Sequence, residues 1–271
     1  MASKPHHLVA VFLDPKGIPV VTAIDLASMR STSAELKAPD FTVIRTVALL
    51  DGTIAILGRR SLRGSIVRLS GRGELVSVYD VSDPEVQVLV DAVDTAQGLV
   101  FLAARVDSTA SLRSRDLYLG RMDTSGKVLS KRTLTTTNHN VFGIAQGTGS
   151  IGLLFDETEG VARIAAARVV GDVPEGLAYQ PQDTGIWSAR LVSSTTKERV
   201  FAMLTTDYEL LVRGMGNVGP LWTCTADIHY SQQDMASDFF PVGGTGKIAF
   251  SHSEINNGRA RHLLKILVVP K

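Results

Sequence analysis

Residues 117–134 read LYLGRMDTSGKVLSKRTL and predict a β-hairpin. Apolar and polar residues alternate on both sides of a turn that runs from Asp123 to Gly126, as expected for strands with one buried face. The Asp can hydrogen-bond its own backbone further along the turn, and the Gly can adopt a positive φ. The stretch is therefore predicted to form two antiparallel strands joined by a tight turn.

The hairpin recurs along the chain. Residues 68–77, RLSGRGELVS, align with residues 121–130, RMDTSGKVLS, at an offset of 53 residues, and the turn glycine and the closing serine are the same in both. Looser copies lie at 23–28, 168–176 and 213–221. Self-similarity of this kind indicates a repeat architecture.

A second pattern accompanies the hairpins, namely a turn followed by a short apolar run. Such runs indicate buried strands, and their starts lie about 45–50 residues apart. They occupy 8–12, 52–57, 98–102, 150–155, 199–204 and 246–250. Helical periodicity is nearly absent; the best candidate, around 232–237, is too short to nucleate a helix alone. The sequence therefore predicts an all-β fold.

The hairpins and their spacing resemble β-propeller repeats, in which each blade is a four-stranded antiparallel sheet. The resemblance implies a β-propeller of six blades, with five as the alternative. Blades of about 45–50 residues are expected at 7–37, 41–82, 86–135, 139–181, 184–227 and 236–269. The motifs of WD40, kelch and sialidase repeats are absent, so no family within the superfamily is named.

The two terminal blades are predicted to be incomplete. The first is expected to lack the innermost strand and the sixth to lack the fourth. Closure by a missing N-terminal segment, a five-bladed ring with an additional hairpin, and closure by a partner chain are the alternatives. No Gly/Ser-rich or Pro-rich linker divides the chain, so one domain over 1–271 is predicted.

The composition argues against a polyanionic partner. Lys and Arg number 28 against 27 Asp and Glu, which leaves no net field to attract nucleic acid or an anionic membrane. The single cysteine, Cys224, cannot form an internal disulfide and favours a reducing compartment. No run approaches the roughly 18 apolar residues of a membrane-spanning helix, and the N-terminus lacks a signal-peptide cleavage site. A cytoplasmic location is the resulting expectation.

Several short motifs resemble chemical sites but lack essential parts. Residues 214–219, GMGNVG, match the dinucleotide motif, yet a strand and not a helix is expected to follow them. Residues 243–247, GGTGK, lack the first Gly and the Ser or Thr of a phosphate loop. Ser150 lacks the leading Gly of a nucleophile elbow, and 156–160 lacks the alternating ligands of a calcium loop. No catalytic residue, metal ligand or cofactor is therefore assigned.

The propeller resemblance implies that two groups of connections share one face. These are the loops between the second and third strands of a blade and the linkers between consecutive blades. Six arginines in two such loops could bind a phosphate, a carboxylate or an acidic peptide: Arg59, Arg60, Arg63, Arg105, Arg113 and Arg115. Solubilising charges balanced by Asp107 and Asp116 are the alternative. The remaining candidate binding residues are Asn138, His139, Asn140, Gln182, Asp183, Tyr208, His229, Tyr230, His252 and Glu254.

Three functions of different class are compatible with this surface. The sequence favours a non-catalytic module that presents the loop-rich polar face to a protein or peptide partner. A carbohydrate-binding, lectin-like propeller is the alternative, although Trp187 and Trp222 do not recur in phase as the aromatic residues of repeated sugar sites would. The third function is a hydrolase or lyase, whose acid and base would come from His139, His229, His252, Asp183 and Glu254.

Overall fold

In a computed structural model of the chain, every regular element within the described residues is a β-strand. The described residues are 7–14, 16–25, 27–28, 30–108, 111–135, 141–147, 150–157, 163–170, 173–181, 186–194, 197–205, 209–229, 235–242, 247–256 and 259–268. The chain divides into two compact units, residues 1–138 and 139–271. The predicted all-β class is confirmed.

The first unit contains three antiparallel sheets whose strands follow one another in sequence order. The first sheet consists of β1 (His7–Leu13), β2 (Pro19–Asp25) and β3 (Ser31–Glu35). The second consists of β4 (Phe41–Ala48), β5 (Ile54–Arg60), β6 (Arg63–Leu69) and β7 (Leu75–Asp80). The third consists of β8 (Val88–Thr95), β9 (Gly98–Ser108), β10 (Ser111–Met122) and β11 (Val128–Thr135).

The second unit contains three further antiparallel sheets in the same arrangement. The fourth sheet consists of β12 (Val141–Gly147), β13 (Ser150–Glu157), β14 (Arg163–Val170) and β15 (Val173–Pro181). The fifth consists of β16 (Ile186–Ser194), β17 (Arg199–Thr205), β18 (Glu209–Met215) and β19 (Pro220–His229). The sixth consists of β20 (Met235–Val242), β21 (Lys247–Asn256) and β22 (Arg259–Val268).

Each predicted blade corresponds to one of these sheets. The middle four sheets have four strands, and the first and last have three within the described residues, as the sequence predicts. Residues 235–237, part of the best helical candidate, belong to β20. The number of blades and the single domain over 1–271 stay predictions.

The turn that opens β11 has the predicted geometry. Oδ1 of Asp123 accepts hydrogen bonds from the backbone N–H groups of Ser125 at 2.8 Å and Lys127 at 3.1 Å, and Gly126 has a φ of 85°. In each turn of this type the first N–H bonds to the carbonyl of the fifth residue, and the fourth residue is a glycine with positive φ. The same pattern closes residues 14–18, 49–53 and 70–74.

The second sheet is buried on both faces. Ala55 and Leu57 belong to a core shared with the third sheet, whereas Ile56 belongs to a core shared with the first, and all three side chains are fully buried. Successive side chains of a strand point to opposite faces, so a strand between two sheets requires consecutive apolar residues. The short apolar runs of the sequence therefore reflect packing on both sides.

A β-bulge recurs near the start of the first strand of five sheets. Arg45 and Asp91 directly follow two of these bulges, and Nη1 of Arg45 donates to Oδ2 of Asp91 at 3.1 Å. Asp91 is 2% exposed, so this pair joins β4 to β8 in a largely buried setting. The bulges lie between Val43 and Arg45, Leu89 and Asp91, Val141 and Gly143, Ile186 and Ser188, and Ala236 and Asp238.

We expect Leu57→Ala to lower the free energy of unfolding by about 2–5 kcal/mol, because it leaves a cavity between the second and third sheets. Val76→Ala is the matched control, since Val76 is 57% exposed on β7. It should change the free energy of unfolding by less than about 0.5 kcal/mol. Urea unfolding followed by far-ultraviolet circular dichroism, which reports on the strands of both units, measures both. Equal losses would contradict burial on both faces.

Gly126→Ala should destabilise the chain more than Gly52→Ala. Both glycines have positive φ, 85° and 81°, and an added Cβ costs roughly 1–2 kcal/mol in that region. At Gly126 the Cβ would also lie 2.8 Å from Cδ2 of Tyr79, whereas at Gly52 it would meet no atom within 4 Å. Thermal unfolding of the two variants measures the difference, and equal melting temperatures would contradict the contact with Tyr79.

Candidate functional site

The linker between the second and third sheets is fixed to the hairpins on either side of it. The N–H of Gly64, at the start of β6, donates to the carbonyl of Val86 at 2.7 Å. The N–H of Val106, near the end of β9, donates to Oε1 of Gln87 at 3.0 Å. Linker 81–87 therefore lies beside the β5–β6 and β9–β10 hairpins, so the two predicted groups of connections meet on one side here.

A groove of about 820 Å³ shows that more connections share this side. The β1–β2 turn, the linker 36–40 and Ser61 of the β5–β6 turn all line it. We call the loop face the side formed by turn 14–18, linkers 36–40 and 81–87, turn 61–62 and the strand ends at Arg59, Arg63 and Arg105. Because the β1–β2 turn lies on the side of the β5–β6 turn, β1 corresponds to a second strand. Within the part of the chain that the structure describes, the first sheet therefore has no innermost strand, as predicted.

Arg60, one of the predicted binding arginines, forms an ion pair within its own sheet. Its Nη2 lies 2.7 Å from Oδ2 of Asp80, and Oγ of Ser65 donates to Oδ1 of the same carboxylate at 2.6 Å. Burial alone would raise the pKa of Asp80, but the hydrogen bonds from Arg60 and Ser65 outweigh it and lower that pKa. Asp80 was not recognised in the sequence, because the pair spans two strands.

The other described arginines of the loop face differ in exposure. Arg63 is exposed at the start of β6, and Arg59 is half-buried at the end of β5. Nη1 of Arg105 lies 3.9 Å from Oδ2 of Asp116, the carboxylate that the alternative interpretation names as its balance. Arg60 and Arg105 thus form ion pairs with acidic neighbours, and the charge of the exposed Arg63 also contributes to lowering the pKa of Asp80.

Lys131 of β11 is the centre of a polar cluster that the sequence did not reveal. Its Nζ lies 2.7 Å from Oδ2 of Asp83, forms a second ion pair with Glu85, and lies 4.5 Å from the centre of the Tyr118 ring. Burial alone would raise the pKa of Asp83, but the hydrogen bonds from Lys131 and from the backbone N–H of Glu85, together with the charge of Lys131, outweigh it and lower that pKa. Burial raises the pKa of the Tyr118 hydroxyl, which donates to Asp116 at 3.5 Å. This cluster ties linker 81–87 to the third sheet.

Most of the other predicted binding residues stay predictions. Asn138, His139, Asn140, Gln182, Asp183, Tyr208 and Tyr230 lie outside the described residues. Arg113 and Arg115 lie on β10, His229 ends β19, and His252 and Glu254 lie on β21, where only their backbone is described. In the register of β21 and β22, His252 faces Leu263 and Glu254 faces Arg261. The six-arginine patch as a whole is therefore untested.

The dinucleotide-like motif is a hairpin turn. β18 ends at Met215, the N–H of Gly216 donates to the carbonyl of Gly219 at 2.8 Å, and β19 begins at Pro220. The buried side chain of Arg199 donates to the Gly216 carbonyl at 2.6 Å and to Oδ1 of Asn217 at 2.8 Å. An arginine thus occupies the turn, and a strand follows where a phosphate site would need a helix.

On the side opposite the loop face lie Arg68 and Arg121, the arginine that is repeated in the two aligned hairpins. Arg68 donates through Nε to Thr53 at 3.0 Å and forms an ion pair with Asp51, both in the β4–β5 turn. Arg121, its equivalent in the third sheet, donates through Nη1 to Oε1 of Gln97 in the β8–β9 turn at 2.7 Å. The repeated residue therefore braces two neighbouring turns and has a structural role.

Two further findings concern membranes and metals. Within the described part of the chain, no helix is long and apolar enough to cross a membrane. The described side chains also include no group of three His, Cys, Asp or Glu residues arranged to hold a metal ion.

No protein-family model matches the chain, and no curated protein matches it. Several solved structures, in contrast, are similar to the chain. A virginiamycin B lyase from Staphylococcus aureus, crystallised with quinupristin in a catalytically inactive form, is 13% identical with a TM-score of 0.55 over 96% of this chain and 85% of that one. The β-propeller domain of the Trilobed protease from Pyrococcus furiosus is 10% identical, with a TM-score of 0.50 over 98% of this chain and 79% of that one. A chain of the mitotic checkpoint complex is 9% identical, with a TM-score of 0.54 over 99% of this chain and 88% of that one.

At these identities the likeness shows the fold and nothing finer. The chain has a β-propeller fold, as the hairpin spacing predicts. The similar structures include a lyase, a protease domain and a component of a protein assembly. The fold therefore leaves the function to be argued from the surface.

We expect Asp83→Asn to lower the free energy of unfolding at neutral pH by roughly 1–3 kcal/mol, because it removes a charged hydrogen-bond partner of Lys131. The pKa of Asp83 is lower in the folded chain than its ordinary value, so this stabilisation is present at neutral pH and is lost as the pH falls below about 4. The difference between wild type and variant should therefore shrink at about pH 3. Urea unfolding at both pH values measures it.

Glu35→Gln is the control for this experiment, since Glu35 is an exposed carboxylate on β3. It should change the free energy of unfolding by less than about 0.5 kcal/mol at either pH. A difference between wild type and Asp83→Asn that is the same at both pH values would contradict the electrostatic origin of the stabilisation.

Proposed function

We propose that the chain is a non-catalytic binding module whose loop face recognises a protein or peptide partner. The observation that carries the proposal is the contrast between the backbone and the side chains of this face. The backbone hydrogen bond from Gly64 to Val86, and the bond from the N–H of Val106 to the side chain of Gln87, fix the linker and the hairpins. Leu62 at the tip of the β5–β6 turn is 52% exposed, and Arg63 beside it is exposed as well.

A rigid surface with an exposed apolar residue beside an arginine suits protein recognition. Apolar side chains supply area that partners bury, and arginine is enriched among residues that contribute most to interface energies. A fixed backbone lowers the entropy lost on binding, so a surface of this kind needs fewer contacts for a given affinity. Among the similar structures, the mitotic checkpoint complex is a protein assembly, and it supports this proposal at the level of the fold.

The proposal predicts that the tip of the β5–β6 turn contributes to partner binding. Partners are captured from an extract of the source cells, identified by mass spectrometry, purified, and titrated against the wild-type chain and the double variant Leu62→Asp/Arg63→Glu. Loss of an apolar contact and reversal of a charge should weaken binding by at least about tenfold, which corresponds to about 1.4 kcal/mol.

The matched control places the same two changes at the opposite end of β6. Arg72→Glu/Leu75→Asp alters an exposed arginine and a 44%-exposed leucine near the β6–β7 turn. It should leave the affinity unchanged. Equal losses in the two double variants, or no loss in either, would contradict recognition by the loop face. Binding of the purified chain to a glycan array would favour the carbohydrate alternative instead.

A further inference from the structure

One edge of the first sheet presents backbone groups that no strand uses. β1 pairs with β2 over all seven of its residues, and within the described part of the chain no strand pairs with its other edge. The N–H of Asp14 donates to the carbonyl of Ile18, and the bonded residues of an antiparallel pair follow at every second position. The N–H and C=O groups of Val9 and Val11 therefore point away from β2. We call this side of β1 the open edge.

β1 lacks the features that usually protect an edge strand. Its sequence, HLVAVFL, contains no proline and no Lys, Arg, Asp or Glu, and its described register with β2 has no bulge. The opposite edge of the same sheet, β3, has five residues, ends with Glu35 and is exposed throughout. Short strands, charges, proline and bulges protect edges, because an unprotected edge pairs with other chains. β1 can therefore accept a further strand.

The other five sheets show what kind of segment fits at the open edge. In each of them, a strand of seven to nine residues precedes the strand that is equivalent to β1 and pairs with it antiparallel. These strands are β4, β8, β12, β16 and β20. An extended antiparallel segment of the same length therefore matches the open edge.

The innermost strand of the second sheet is less covered than that of the third. In these two fully described strands, five of the eight residues of β8 are buried, whereas Phe41 is the one buried residue of β4. An ion pair joins β8 to β4, while Phe41 and Val43 of β4 belong to the core shared with the first sheet. Val43 is half-buried at this core, and so are Val9 and Val11. Apolar surface therefore accompanies the backbone groups of the open edge.

The pairing geometry places side chains of an added strand on this apolar surface. Directly opposite residues of an antiparallel pair lie on the same face of the sheet. In the second sheet, Val47 of β4 lies opposite Ala55 of β5 and packs against the core shared with the third sheet. A residue opposite Val9 or Val11 would likewise face the core between the first and second sheets, so an apolar residue is favoured there.

We propose that the open edge of β1 binds an extended segment of a partner protein as an additional antiparallel strand. Hydrogen bonds to the backbone of Val9 and Val11 hold the segment, and its apolar side chains pack on the core between the first and second sheets. In strand addition the main chain supplies affinity and alternate side chains supply specificity. The site is the middle of a strand and not the loop face, so the inference goes beyond the proposed function.

The experiment uses random peptides and the intact chain. Peptides with the length of β4, eight residues, are selected from a display library, labelled with a fluorophore and titrated by fluorescence polarisation. We expect apolar residues at alternate positions. Each selected peptide is then synthesised with a backbone N-methyl group at each position in turn. The methyl group should weaken binding about tenfold at every second position and much less at the positions between, because alternate N–H groups face the partner strand.

Two variants at one position test the role of β1. Val11→Ala and Val11→Pro both remove the packing of the valine, but only proline also removes the N–H at the open edge. Val11→Pro should bind the peptides about tenfold more weakly than Val11→Ala. Glu35→Pro is the matched control and should change nothing. The N–H of Leu36 donates to Pro19, so the N–H of Glu35 points away from β2 at the opposite edge of the sheet.

A photoreactive group on the peptides locates them without any variant, even if Val11→Pro does not fold. Mass spectrometry should find the crosslinks on β1 or β4. Crosslinks elsewhere, an N-methyl series without alternation, equal affinities of Val11→Ala and Val11→Pro, or a library that yields no binding sequence would each overturn the strand site.

Two further outcomes would assign binding elsewhere and overturn the proposal. Peptides that respond only to Leu62→Asp/Arg63→Glu would support recognition by the loop face instead. Dimerisation of the chain alone that Val11→Pro abolishes, measured by analytical ultracentrifugation, would assign the open edge to a second copy. The partner titration with the tip variant tests the proposed function separately.

Discussion

The burial of a sheet between two neighbouring sheets is the constraint on which the first unit depends. In β5, Ala55 and Leu57 face one core and Ile56 faces another, so no side of the strand is left for water. A sheet of this kind has no stable position alone, because each apolar face must be covered. Successive sheets therefore stack in the order of the chain, and their connections come together on shared sides. The loop face follows from this packing.

The sequence predicted the parts of the fold that local patterns encode. The turn at Asp123 is recognisable because one carboxylate and one glycine determine it, and the spacing of apolar runs located every sheet. The bulges beside Arg45 and Asp91 were not predicted. One extra residue in a strand leaves the alternation of apolar and polar residues, and the spacing of the repeats, almost unchanged. Local chemistry is visible in a sequence, whereas small offsets in pairing are set by tertiary packing.

The charged contacts of the loop face were predicted less well, for a related reason. Lys131 meets Asp83 and Glu85 across almost a whole repeat, and Arg60 meets Asp80 across two strands. No neighbouring residue in the sequence indicates which distant residue each of them will contact. The arginines were identified as candidates because six of them fall in two loops. Such a count does not distinguish an arginine that stabilises a sheet from one that binds a ligand.

Stability and the proposed recognition use different groups on this face, which bears on how its sequence can vary. Backbone hydrogen bonds such as that from Gly64 to Val86 hold the linkers, and they persist whatever side chains the linkers carry. The ion pairs of Arg60 with Asp80 and of Lys131 with Asp83 and Glu85 add to that support. Exposed side chains such as Leu62 and Lys37 can then change without loss of the scaffold, because substitutions at exposed positions cost little stability. A fold built in this way can acquire different partners while keeping the same sheets, which accounts for the variety of proteins that share it.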